Sequence, residues 1–458
     1  MFAKSLTVSA LTAAVLAADE ADRVTSIPDM AVFDTYPVYS GYLTVDADKQ
    51  LHYMLVESQA DPVNDPLIIW FNGGPGCSSM LGFAQEHGPY MMVSGTDYWQ
   101  INPWSWNQNA NMLYIESPAG VGYSTCDNLQ TCNNYTDPGV AADNLAAVQS
   151  FYAKFPEFMA NELWVSGESY AGMYVPYLAN EIYEYNLTGP SNPINMQGFM
   201  VGNGVTNYTY DCTPAYVDMG YWHSLYSTDL YDEMKANNCD FGLFATRDDT
   251  CNNLLSQFNT LVADVNVYDI FGVCWGLGPY PQMYENDVAR GYTSADYTPF
   301  LHANNGEVVN SSLPPCTFGT PIESYFNRED VRASMHIPTS VQEWKLCTTK
   351  INIEYQRDQG GSQWVYEKLA GIYRMLHYSG DTDGAVPTWG TQQWIATLGW
   401  DVVDSWQAYL VDNQVGGYWE SYVGDFTFGT VHGAGHMAPQ FKPPQTYYLI
   451  FNWLNGTL

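Results

Sequence analysis

The chain has 458 residues, 46% of them apolar and 15% aromatic, and 49 Asp and Glu against 15 Lys and Arg leave a formal charge of −34. So negative a field excludes nucleic acid and an anionic membrane as partners, and 15 Trp with 36 Tyr exclude a disordered acidic chain. At about 150 residues per domain the length accommodates three domains, or one α/β core with an insertion.

The chain begins with one positive charge, Lys4, and an apolar, small-residue run from Leu6 to Ala17, followed by Asp19-Glu20. This is the pattern of a secretory signal peptide spanning 1–17, cleaved near Ala17. It is too short for a comfortable membrane span, and no later run of about 20 apolar residues follows. Nine cysteines suit an oxidising compartment, and their odd number leaves one unpaired. Asn-x-Ser/Thr sequons stand at Asn134, Asn186, Asn207, Asn310 and Asn455. Together these point to the secretory pathway, ending in secretion or a lysosome- or vacuole-like compartment.

Beyond the leader, Tyr42 to Val45 and Leu51 to Val56 flank a turn and predict a hairpin. Leu67 to Phe71 and Met112 to Ile115 are short, continuously apolar runs of the kind that form buried parallel strands. A helical pattern over Val140 to Phe155 leads into Leu163-Trp164-Val165, and Phe199-Met200-Val201 ends in Gly202-Asn203-Gly204. Alternation of strand and helix predicts an α/β fold with a mainly parallel sheet. From Val205 to Trp344 helical stretches rich in Asp, Asn and Tyr read as an insertion beside the core. Strands resume at Met375 to Ser379 and around Phe426 to Phe428, and Pro443 to Trp453 closes the chain as a helix. The predicted division is therefore core over 18–204, a helical insertion over 205–344, and core again over 345–458.

The stretch Leu163 to Gly172 carries the chemistry. A buried strand runs into Gly167-Glu168-Ser169-Tyr170-Ala171 and then into a helix, which is the setting of a nucleophile elbow. Gly167 and Ala171 are small enough for the sharp turn that lifts the Ser169 hydroxyl out of the sheet; Ala171 replaces the usual glycine. Ser169 requires a base, and the base an orienting carboxylate, in the order Ser, acid, His. Asp381 and Asp383 share one turn and remain alternatives on spacing; His436, on a small-residue loop, is favoured over His432. Charge developing on an attacked carbonyl needs N–H donors. One is the amide of Tyr170, and Asn72-Gly73-Gly74-Pro75-Gly76 supplies the second, with Gly74 favoured. No His-Glu-x-x-His, Cys-x-x-Cys or phosphate-binding glycine loop is present, so no metal or cofactor is expected.

These stretches, with Glu116-Ser117-Pro118-Ala119-Gly120-Val121-Gly122-Tyr123-Ser124 and Gly435-His436-Met437-Ala438-Pro439, resemble the serine carboxypeptidase family of the α/β-hydrolase fold. The resemblance implies Asp383 as the triad acid and His436 as the base. It also implies Gly74 and Tyr170 as oxyanion donors, and a lid role for the middle region. It assigns recognition of a peptide's C-terminal carboxylate to Asn72, Glu86 and Glu168, and so implies exopeptidase activity on peptide or protein C-termini at acid pH. Read alone, Glu86 would be a solvated helix-end acid. Met437 and Tyr170 would line the substrate pocket. The resemblance further implies bridges Cys77–Cys347, Cys239–Cys251 and Cys274–Cys316; spacing suggests Cys126–Cys132, which leaves Cys212 unpaired. Acyl transfer to an alcohol on the same triad, a catalytically inactive binding protein, and a homodimer all stay open at this level.

Overall fold

The computed structural model describes residues 20–30, 35–92, 98–127, 132, 135–272, 274 and 320–458. The signal-peptide segment, Asn134, Asn310 and Cys316 lie outside the described residues. A twelve-stranded sheet organises the rest. Its main strands are β1 (Val38–Thr44), β2 (Lys49–Val56), β3 (Leu67–Phe71), β4 (Asn111–Ile115), β5 (Leu163–Glu168), β6 (Met196–Gly202), β7 (Arg374–Gly380), β8 (Val402–Val411), β9 (Gln414–Tyr422) and β10 (Phe426–Val431). Two short strands, Arg23–Val24 and Thr125–Cys126, pair with β1 and β2.

The order across the sheet is β1-β2-β4-β3-β5-β6-β7-β10-β9-β8. From β4 to β10 neighbouring strands run parallel; the flanking pairs on both sides are antiparallel. The parallel strands are apolar at successive positions because both faces are covered. In β3, Leu67, Ile69 and Phe71 enter one core cluster, while Ile68 and Trp70 enter the other. Helices Asp137–Lys154 and Ala171–Leu187 cover the first face, and Pro443–Leu454 covers the second. A third cluster joins Thr213–Trp222, Thr228–Ala236 and Asp249–Leu261 through Val217, Leu230, Met234, Leu254 and Phe258, and reaches Ala385. It forms a helical cap beside the C-terminal ends of β6 and β7. The segment containing Ile322, Phe326 and Trp344 packs instead into the second core cluster.

The β8–β9 hairpin is absent from the sequence expectations. Its strands are largely exposed, so no alternation of buried and solvent positions marks them. Asp412 and Asn413, both at positive φ, form the two-residue turn that joins them. Disulfides join Cys77 to Cys347, Cys126 to Cys132 and Cys239 to Cys251. Cys274 is also disulfide-bonded, and Cys212 is a free thiol.

Candidate active site

Parallel strands end together, so the loops after β3, β5, β6 and β7 meet at one edge of the sheet. Ser169 follows β5 directly, at φ +66°, a left-handed backbone that costs a non-glycine residue energy. The turn is pinned on both sides: the Ser169 N–H donates to Gly202 O at 3.0 Å, and Val205 N–H donates to Ser169 O at 3.0 Å. A Cβ on Gly167 would stand 2.5 Å from Phe71 O, so glycine is required for the elbow to close against β3. Gly73 is held as tightly. A Cβ there would lie 2.2 Å from the Tyr170 amide nitrogen, so the Gly73-Gly74 loop runs directly alongside the residue after Ser169.

The sheet also sorts the acids and histidines. The His436 Nδ1 lies 2.7 Å from Asp383 Oδ2, both groups being buried. Asp383 further accepts from Ala385 N–H at 2.7 Å, Val386 N–H at 3.1 Å and the Asn203 amide at 2.8 Å. His436 is held by its own N–H donating to Tyr268 O at 2.7 Å, with the Tyr268 ring 5.0 Å away. Its Nε2 has no partner among the described residues and shares a cavity wall with Ser169. The alternatives form a separate pair: His432 Nδ1 lies 2.7 Å from Asp381 Oδ2, on the exposed surface and outside that cavity. Neighbouring acids thus take different histidines.

The cavity holds about 540 Å3 and is lined by Asn72, Gly74, Glu168, Ser169, Tyr170 and Met437, among others. Behind Asn72 lies Glu86, in a π-turn over Gly82–Glu86 and almost fully buried, not the solvated acid that its local sequence suggests. The Asn72 amide donates to Glu86 Oε1 at 2.9 Å and Glu168 Oε1 at 3.2 Å. Its own oxygen accepts from the Trp70 indole at 2.8 Å and Gly82 N–H at 2.9 Å, which fixes the amide's orientation. Burial is the largest influence on both acids. It raises Glu86 to about 7 despite the Asn72 hydrogen bond, and lifts Glu168 well above the usual carboxylate range, with Glu86 adding repulsion. The pair therefore holds protons that exposed glutamates would lose.

Asn203 and Tyr268 escape the sequence reading, although the Gly202-Asn203-Gly204 strand end marks a tight turn at which the asparagine side chain could work. Asn186 and Asn207 use their amide nitrogens inside the fold, on Ile194 O and Gln363 Oε1, whereas Asn455 is exposed. Among the described residues no cluster of side chains could hold a metal ion, and no helix is long and apolar enough to cross a membrane.

A sequence model of the serine carboxypeptidase family matches residues 28–456. The lysosomal protective protein of Mus musculus is 34% identical over 461 residues, covering 96% of this chain and 94% of its own. Serine carboxypeptidase 1 of Hordeum vulgare is 32% identical over 474 residues, with the same coverage of 96% and 94%. Among solved structures, a prohormone-processing carboxypeptidase from Saccharomyces cerevisiae superposes with a TM-score of 0.73 at 20% identity, covering 96% of this chain and 97% of its own. That likeness shows the shared fold, the α/β-hydrolase fold that the family resemblance implied.

Proposed function

The chain belongs to the serine carboxypeptidase family, and from that premise we propose that it is a serine-type carboxypeptidase releasing C-terminal residues at acid pH through an acyl-enzyme on Ser169. In this reading His436 Nε2 takes the Ser169 proton as Oγ attacks the terminal peptide carbonyl. Asp383 holds Nδ1–H and balances the imidazolium charge. The amides of Gly74 and Tyr170 receive the carbonyl oxygen as it gains charge. His436 returns the proton to the leaving amine, and water then cleaves the ester by the same steps.

The observation that carries the reading is the buried Asn72–Glu86–Glu168 cluster opening into the cavity that contains Ser169 and His436. Burying two carboxyls is costly unless protons are shared. A glutamate that keeps its proton offers a donor to a substrate carboxylate, and Asn72, whose amide donates to both acids, holds the pair in place. The lysosomal relative, the disulfides and the N-terminal apolar segment support a route through the secretory pathway to an acidic compartment.

The test is steady-state kinetics on an N-blocked dipeptide and its C-terminal amide from pH 4.5 to 8. Glu86 is protonated below about 7 and charged above it, so KM for the free acid is expected to rise above neutrality, by up to about tenfold per pH unit. The amide should be cleaved far more slowly, and Ser169→Ala should abolish both reactions. Equal turnover of acid and amide, or a KM independent of pH, would overturn the proposal.

A further inference from the structure

Among the described residues, the cavity has one permanent cation. Arg357 is the lone Arg or Lys among its described lining residues. Its guanidinium lies 5.5 Å from the centre of the Tyr170 ring. Among the described residues its hydrogen bonds go to Asn352, to the backbone oxygen and Oδ1, both at a long 3.5 Å. No carboxylate among the described residues pairs with it. A half-buried guanidinium on an aromatic face, without a counter-ion, is a fork suited to a carboxylate.

Its location says which part of a substrate it meets. The Tyr170 hydroxyl is tied to Asp137 at 3.0 Å, so the ring beneath Arg357 is fixed. Arg357 acts electrostatically on Tyr174, Tyr208 and Cys212, whereas Glu86 and Glu168 respond to Asn72, to each other, and to His436 and Asp383. The cation therefore neighbours the Tyr170 ring and the Tyr174, Tyr208 and Cys212 wall, and is absent from the influences on Glu86 and Glu168, two of the residues proposed to hold the terminal carboxylate. Asp211, in the same wall, is buried and accepts from the Thr206 and Asn207 amides, which occupies one of its oxygens internally. The chain's overall negative field does not decide this contact, since charges more than about 8 Å apart are largely screened at physiological salt.

We propose that Arg357 is a specificity-determining residue that selects an acidic side chain, Asp or Glu, in the residue immediately N-terminal to the cleaved bond. The inference rests on the carboxypeptidase reading, which fixes the direction in which a peptide lies.

Three N-blocked dipeptides with a common C-terminal Phe and Glu, Gln or Lys before it provide the test. The native enzyme is expected to cleave the Glu substrate with kcat/KM roughly tenfold above the Gln substrate, the scale of a charge-assisted hydrogen bond. Arg357→Met should bring that ratio close to one, Arg357→Lys should keep part of it, and Arg357→Glu should shift the preference to Lys. Thermal unfolding and fluorophosphonate labelling of Ser169 report whether each variant is folded. A native preference for Gln or Lys, or an Arg357→Met enzyme that still favours Glu, would overturn the proposal and leave the peptidase reading intact. Absence of any Ser169-dependent turnover would overturn both.

Discussion

At the residue scale, connectivity alone does not identify a catalytic serine. Ser40, His52 and Glu116 are linked as a triad would be, with Ser40 Oγ 2.9 Å from His52 Nε2 and His52 Nδ1 2.8 Å from Glu116 Oε2. All three are fully buried, and the Ser40 proton is committed to Met335 O at 2.7 Å. That set ties strands together. What distinguishes Ser169 and His436 is an Nε2 without a partner among the described residues, in the wall of a cavity. Asn203 belongs to this scale as well, because it supplies a side-chain donor to Asp383. Asn203→Ala should lower kcat by about tenfold to a hundredfold, the range for one lost hydrogen bond to a charged group. Steady-state assays should find KM little changed. A variant whose kcat stayed within twofold of the parent would show that Ala385 and Val386 suffice.

At the element scale, the site is the product of strand ends brought level. The apolar runs that became β3 to β7 were legible because strands buried on both faces need apolar residues at every position. The β8–β9 hairpin was not, for the opposite reason: exposed strands carry no burial signal. The choice between Asp381 and Asp383 was equally hidden, since residues two apart on a turn differ only in which loop they meet. Gly73 shows how little freedom the assembly leaves. Gly73→Ala would drive a methyl into the Tyr170 amide and the Glu168 carbonyl, neither of which can yield without moving the elbow. A stability loss of about 1–3 kcal/mol is expected from such overpacking, together with loss of most activity. Paired denaturation and fluorophosphonate-labelling measurements would check both, and a fully stable, fully labelled variant would refute the close approach.

At the scale of the whole molecule, acidity and stability are linked. Burial raises Glu86 and Asp211 to about 7 each. A carboxyl whose folded value exceeds its unfolded one binds protons more strongly when folded, so its contribution is complete below about 4 and is lost as pH rises to 7. The two together should cost on the order of a few kcal/mol between pH 5 and 8. The growing charge of so acidic a chain acts in the same direction. Thermal unfolding is therefore expected several degrees lower at pH 8 than at pH 5, with a shallower slope for Asp211→Asn; a midpoint constant over this interval would exclude the linkage. Long-range pairing of this kind is what sequence reading could least supply. The Asn72–Glu86 contact joins residues whose local surroundings give no hint of each other, and only the family resemblance singled out Glu86. The Cys77–Cys347 bridge spans the chain in the same way, from the loop beside Ser169 to a point 270 residues further on. The intervening chain includes the Ser169 turn and the cap helices. A single scission anywhere along it would yield two polypeptides but still one covalent molecule, with both halves of the fold held in common.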